Sequence, residues 1–400
     1  MEKLQVSNRA KNIIASPMRK FLPLIREAEK KGIKVFKLNV GDPDLETPKV
    51  FLKAIKNYHK KTLPYAPSSG ILEHVKAWQK YYSQFGVKLP LENIIPTVGG
   101  AEAILLSLMA ITNPGDEIII FEPLYTSYRS FAVILGIKLV PITLSIANNF
   151  SLPATGQIER KISKRTKAVV IVNPDNPTGK LWSEKELSAI IKIAKRHNFF
   201  VISDETYREI RFDGKKPSCL LARKDARQNV IVCDSVSKKF SMPGARIGCV
   251  ASFNNEVMRG ILKFAQARLS APTLEQLATI PLLSNSRFYT NKIRKEYLRR
   301  QKTIAKGLDK IKGTVFKPTQ GAFYQAVKMP VKDAEDFVKF MISEFSYKGK
   351  TVMVTPMRDF YITPGLGQSE IRIAFVLGIR ELKEAMEILQ KGLKAYIRQA

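Results

Sequence analysis

Five short runs rich in valine and isoleucine punctuate the middle of the chain, at residues 118–121, 168–172, 199–203, 230–233 and 247–252. A strand wetted on one side alternates apolar and polar residues. Runs without that alternation are apolar on both faces, which suits strands of a parallel sheet covered by helices. Amphipathic stretches lie between them. In residues 184–196, Leu187, Ile190, Ile191 and Ala194 recur at helical spacing, and Ser183 with Glu186 three residues on forms a capping box. The alternation predicts an α/β fold with a mainly parallel central sheet sandwiched by helices.

Four hundred residues exceed one small core, so a large domain and a smaller one are expected. Residues 9–32 have the pattern of a helical arm broken at Pro17 and Pro23, and residues 285–312 that of a long basic helix. Strand-like runs follow at 323–327, 351–354 and 371–375, with a final helix from about Arg380. The expected division is an arm and part of the small domain at 1–45, a large domain at 46–285, and a small α+β domain at 286–400.

The formal charge of +31 is unusual, but its lysines are scattered from Lys3 to Lys394 rather than massed in an arm. That scatter suits solvated faces, and no nucleic-acid partner is expected from it. No stretch approaches the roughly 20 apolar residues that span a bilayer. No apolar core follows the charges at Met1, Glu2 and Lys3, so neither membrane nor secretion is expected. Cys219, Cys233 and Cys249 form no CxxC pair, and His59, His74 and His197 have no zinc-ligand spacing. A reducing cytoplasm is the expected setting, with no metal.

Chemistry is concentrated where ligands of open parallel sheets bind, beyond the carboxyl ends of strands. After Val172 comes Asn173-Pro-Asp-Asn176-Pro-Thr-Gly179; after Ser203 comes Asp204-Glu-Thr-Tyr207; after Cys233 comes Ser235-Val-Ser237-Lys238, with Arg246 eight residues on. Each group has a task if the ligand is an aldehyde-bearing pyridine phosphate. Lys238 supplies an amine for an imine, its basicity lowered by nearby cations. Asp204, if buried, holds a proton on the ring nitrogen. Asn176 and Tyr207 donate to a phenolate oxygen. Ser235, Ser237 and Arg246 offer hydroxyls and a bidentate fork to a phosphate. Upstream, Thr97-Val-Gly-Gly100-Ala101-Glu102 opens an apolar helix whose first N–H groups suit phosphate oxygens.

The run Ser235-Val-Ser-Lys238-Lys-Phe-Ser-Met-Pro-Gly-Ala-Arg246-Ile-Gly248 resembles the lysine signature of class I and II aminotransferases. Leu38-Asn-Val-Gly41-Asp-Pro-Asp-Leu-Glu-Thr-Pro48, Asn113-Pro-Gly-Asp-Glu117, Gly321-Ala-Phe-Tyr324 and Ile371-Arg372-Ile-Ala374 are similar to further family segments, so the likeness runs through nearly the whole chain. The resemblance implies fold type I, pyridoxal 5′-phosphate on Lys238 as a Schiff base, and a homodimer with active sites at the subunit interface. It also implies that Tyr125 stacks on the cofactor ring and Tyr65 reaches the neighbouring subunit's phosphate. Arg372 is implied to fork the substrate's α-carboxylate, with Gly41 against the substrate. Lys239 has no constrained role in that pattern.

The implied reaction moves an amino group from an L-amino acid to a 2-oxo acid such as 2-oxoglutarate. The pattern is closest to aspartate-aminotransferase-like enzymes, yet Ala101 and Gln266 stand where such enzymes carry a cation for the distal carboxylate. Arg19 and Arg268 are candidate substitutes; without one, alanine, aromatic or other neutral donors are favoured. Two other readings remain open at this level. One is a lyase on the same fold, performing β-elimination or decarboxylation. The other is a nucleic-acid-binding regulator, for which Gly41 lies too near the start to leave room for an extra domain.

Overall fold

The computed structural model describes residues 4–399. Its strands are β1 (Lys34–Lys37), β2 (Ile94–Val98), β3 (Glu117–Glu122), β4 (Lys138–Thr143), β5 (Thr166–Val172), β6 (Phe200–Asp204), β7 (Val230–Ser235), β8 (Ile247–Ser252), β9 (Tyr324–Lys328), β10 (Lys350–Met353), β11 (Thr355–Pro356) and β12 (Glu370–Ala374).

Seven of them form one sheet in the order β2-β8-β7-β6-β5-β3-β4. All neighbours pair in parallel except those of β8, which runs antiparallel to both β2 and β7. The fifth apolar run was expected to be parallel like the others. An apolar run buried on both faces records its burial and not its direction, so β8 corrects that reading.

The two faces of the sheet feed separate cores. Ile118, Ile120, Val170, Ile202 and Ile231 pack on one side with Ala103 and Ile104 of the helix Gly99–Ile111 and Ile261 of the helix Asn255–Ala267. Ile119, Val169, Ile171, Val201 and Val232 pack on the other with Trp78, Leu187, Ile190 and Leu282. The helix Glu184–Arg196 begins at Ser183 with the expected capping box complete. Both rim strands contain a proline, Pro96 in β2 and Pro141 in β4. Proline is tolerated there because a rim strand has N–H groups with no neighbour to reach.

A third core gathers the two chain ends. β1 pairs in parallel with β10, and β11, β12 and β9 form an antiparallel sheet. Phe21, Ile25 and Phe36 pack with Phe337, Val352, Ile373 and Leu389. The basic helix is Ser286–Leu308 and the last helix is Ile379–Gln399. Pro23 opens the helix Leu22–Lys30 instead of breaking one, because the missing N–H of proline costs nothing in a first turn. Among the described residues no helix is long and apolar enough to cross a membrane. Cys219, Cys233 and Cys249 are all buried.

Candidate active site

The carboxyl ends of β5, β6 and β7 open into a cavity of about 500 Å³ that borders both the seven-stranded sheet and the small antiparallel one. Four cations and one carboxylate line it: Arg19, Lys238, Arg246 and Arg372, facing Asp204.

Lys238 stands on the four-residue helix Val236–Lys239, which Ser235 caps by accepting from the Ser237 N–H at 3.1 Å. Its amine donates to the Gly41 carbonyl at 2.7 Å. Burial lowers its pKa to about 8; Asp42 pulls upward, and Arg372 and Arg246 add to the lowering. About a tenth of the amine is therefore uncharged at pH 7, against well under a hundredth for an ordinary lysine, and that is the state that can attack a carbonyl carbon.

Asp204, at the end of β6, is 5% exposed and has no ion-pair partner among the described residues. It accepts from the Thr206 N–H at 3.2 Å, and burial still lifts its pKa to about 6. A carboxylate buried at such cost without a cation is suited to a protonated ring nitrogen. Beside it, Tyr207 shares a hydrogen bond with Tyr324, hydroxyl to hydroxyl at 3.0 Å, and burial holds its pKa far above the usual range. It stays a neutral hydroxyl.

At the opposite corner Ser235 and Ser237 are both buried, 2.8 Å apart through their hydroxyls. The Arg246 guanidinium donates to the Pro243 and Val98 carbonyls at 2.9 and 3.3 Å and has no acidic partner among the described residues. Gly99 makes that approach possible. Its φ of +72° suits glycine, and a Cβ there would fall 2.5 Å from the guanidinium. Gly100 and Ala101 line the cavity at the start of the helix Gly99–Ile111. Glu102 turns away, accepting from the Val98 N–H at 2.7 Å and lying 3.6 Å from Arg268. These hydroxyls, helix N–H groups and an unpaired arginine form a cradle that fits a phosphate.

Arg372, in β12, is fully buried. It donates to the Asn176 side-chain oxygen at 2.9 Å and to the Asn39 carbonyl at 2.6 Å, while its Nε has no partner among the described residues. Its guanidinium lies 4.4 Å from the centre of the Tyr324 ring and 5.0 Å from that of Phe360. A buried guanidinium between aromatic faces, with no anion of its own, is suited to a substrate carboxylate. Asn176 spends its oxygen on Arg372, which leaves its amide N–H groups for a ligand. Tyr125 lines the cavity and meets Tyr128 edge-on at 6.3 Å.

The sequence therefore placed most of the cavity wall, with some exceptions. Glu102 acts on its own helix. Tyr65 is 79% exposed and lies outside the cavity of its own chain. Of the two candidate substitute cations, Arg19 lines the cavity and has no ion-pair partner among the described residues, whereas Arg268 is engaged by Glu102 and the Pro96 carbonyl. Tyr324, Thr206 and Met18 line the cavity without having been singled out. Tyr324 lies inside a quoted motif, and its hydrogen bond to Tyr207 and its ring against Arg372 give it a task.

Residues 33–389 match the family model for aminotransferase class I and II. An aspartate aminotransferase of Pyrococcus horikoshii is 31% identical over 364 residues, covering 90% of this chain and 91% of its own. An aromatic-amino-acid aminotransferase of Thermococcus litoralis is 29% identical over 98% of this chain and 99% of its own. Among solved structures, an alanine aminotransferase from Pyrococcus furiosus superposes with a TM-score of 0.89 at 30% identity, covering 98% of this chain and 100% of that one. A match of that extent makes this chain a transaminase, a member of the class I and II aminotransferase family, which uses pyridoxal phosphate.

Proposed function

We propose that the chain binds pyridoxal 5′-phosphate at Lys238 and moves amino groups between an L-amino acid and a 2-oxo acid, 2-oxoglutarate being the expected acceptor. The observation that carries this reading is one cavity in which an amine of lowered pKa faces a buried acid with no cation, and a buried arginine with no anion, among the described residues. When bound, this cofactor supplies an aldehyde that bonds to amines and a protonated ring that draws electrons from the substrate's Cα.

The chain's own residues do the rest. Asp204 keeps the ring nitrogen protonated, and Asn176 and Tyr207 donate to the ring oxygen. Tyr125 covers the ring face. Ser235, Ser237, Arg246 and the N–H groups of Gly100 and Ala101 hold the phosphate. Arg372, with Asn176, orients the α-carboxylate, and Gly41 lies against the substrate. The Lys238 amine, freed from the cofactor by substrate, would take the Cα proton and hand it back two atoms away, beyond the substrate nitrogen, which completes a 1,3 shift.

A homodimer belongs to the same proposal. Leu63, Tyr65, Leu72 and Leu269 are exposed, and hydrogen bonds from Ser68 to the Leu269 carbonyl and from Thr273 to the Pro64 carbonyl hold their segments side by side. A second copy covering this face would receive Tyr65 at its phosphate. The domain limits proposed are 46–285 for the large unit, and 286–400 with much of 1–45 for the small one. A cytoplasmic setting is part of this reading.

Borohydride trapping followed by peptide mass mapping tests the proposal. The label belongs on Lys238; a label on another residue, or none, overturns it.

The donor follows from the cation left over. With Arg246 on phosphate and Arg372 on the α-carboxylate, Arg19 is free for a distal carboxylate, which favours aspartate or glutamate. Arg19→Ala should raise KM for aspartate about tenfold or more, the value of one charge-assisted hydrogen bond, while alanine and phenylalanine change little. Steady-state rates with the three donors check this, and unchanged aspartate kinetics remove Arg19 from the account.

A further inference from the structure

Behind the cavity wall lies a closed set of charges that the reaction does not touch. Lys239, the neighbour of Lys238, is fully buried and points the other way. Its amine is 2.6 Å from Asp234, 2.5 Å from the Tyr81 hydroxyl and 3.5 Å from Glu209. Arg208, also buried, contacts Glu205 at 2.5 Å, Asp234 at 2.7 Å and the same Tyr81 hydroxyl at 2.8 Å. Both cations rest on aromatic rings of one segment. Lys239 lies 4.3 Å from the Tyr81 ring centre, and Arg208 lies 5.3 Å and 4.9 Å from those of Tyr82 and Phe85.

The acids and bases come from the two segments that carry the chemistry. Glu205, Arg208 and Glu209 sit in the turn that presents Asp204 and Tyr207. Asp234 and Lys239 bracket Ser235, Ser237 and Lys238, and Asp234 also accepts from the Ser235 N–H at 2.7 Å. The helix Leu72–Ser83 supplies Tyr81 as the common hub. A buried ion cluster adds little net stability compared with apolar packing of the same volume; its attested use is to fix one arrangement. Here three carboxylates meet two cations, an excess of one negative charge that the Tyr81 hydroxyl and backbone donors must help to hold, and removing either cation raises the excess to two. That charge also acts on the site, because Asp234 and Glu205 both push up the proton affinity of Asp204.

We propose that Lys239 is a positioning residue: its contacts with Asp234, Glu209 and Tyr81 lock the four-residue helix Val236–Lys239 against the turn 204–209, so that the Lys238 amine and the Asp204 carboxylate keep a fixed relative placement. This rests on the reading of Lys238 given above. A group misplaced by about 1 Å can cost a hundredfold in rate without any change in the groups that bind substrate.

Three variants test it: Lys239→Met, Tyr81→Phe, which keeps every charge, and Lys239→Met with Glu209→Gln, which restores the charge count. In cofactor-free protein, hydrogen exchange should rise about tenfold or more in segments 204–210 and 234–241 of Lys239→Met, with residues 168–172 unchanged. With cofactor, kcat per bound cofactor should fall about tenfold or more while KM for the amino donor stays within about threefold. Tyr81→Phe should fall in the same direction by less, and the double variant should recover part of the loss. A kcat per bound cofactor within twofold of the parent, or faster exchange spread evenly over the sheet, marks Lys239 as merely structural and overturns the proposal. If Lys239→Met does not fold, the other two variants decide by the same criteria. Retained turnover in Lys238→Ala would instead defeat the underlying reading, so the two failures are separable.

Discussion

Lys238→Ala should lower transamination by about four orders of magnitude, because one change removes both the covalent anchor and the base at the substrate's Cα. The same variant should not be less stable without cofactor. In the folded chain the Lys238 pKa is lowered to about 8, against 10.5 for an ordinary lysine. The folded state thus resists protonation that the unfolded chain accepts, and the cost is present in full below pH 8. A shift of that size corresponds to roughly 3 kcal/mol as an upper bound, less what the hydrogen bond to Gly41 returns. The cost fades as pH rises from about 8 to 10.5. Melting curves of cofactor-free protein should therefore favour the alanine variant at pH 7 and draw level near pH 10. An alanine variant with parental turnover, or one that melts lower at pH 7, contradicts this account.

Asp204→Asn carries the second large effect. An amide cannot hold a proton on the ring nitrogen by charge, so kcat should fall about a hundredfold or more, with KM changed far less. Stability again moves the other way. Folding raises the Asp204 pKa from 3.8 to about 6, so above pH 6 the folded chain carries a buried ionised carboxylate at a cost of roughly 3 kcal/mol. Below pH 4 both states are protonated and the cost is gone. Without cofactor the asparagine variant should melt higher at pH 7, and its advantage should shrink as pH falls from 6 to 4. A flat difference across that range would mean that Asp204 ionises without penalty and is no ring partner.

Much of this site was legible because its residues adjoin strands that are themselves conspicuous. Asn176, Asp204, Ser235 and Lys238 follow within a few residues of apolar runs, so order along the chain stands in for position in space. Tyr324 is different. Its hydroxyl meets Tyr207 across 117 residues, where the Ala322 N–H reaches the Ile210 carbonyl and Arg211 bridges Gly321, and no local pattern reports that. Lys239 was passed over for the same reason: its burial depends on Tyr81, 158 residues earlier. Arg268 looked as available as Arg19 on charge alone, until its proximity to Glu102 removed it. In the fold, the five buried runs announced themselves, whereas β2 and β4 did not, because Pro96 and Pro141 are poor strand residues outside a rim.

Those two prolines bear on how molecules of this chain meet. On either margin of the large sheet, one residue offers a stranger's backbone no hydrogen to share. A second chain cannot simply zip itself on as an eighth strand, and a stack of such additions, the route to fibrils, is stopped at its first step. Contacts between copies must then be written in side chains, where sequence can specify them.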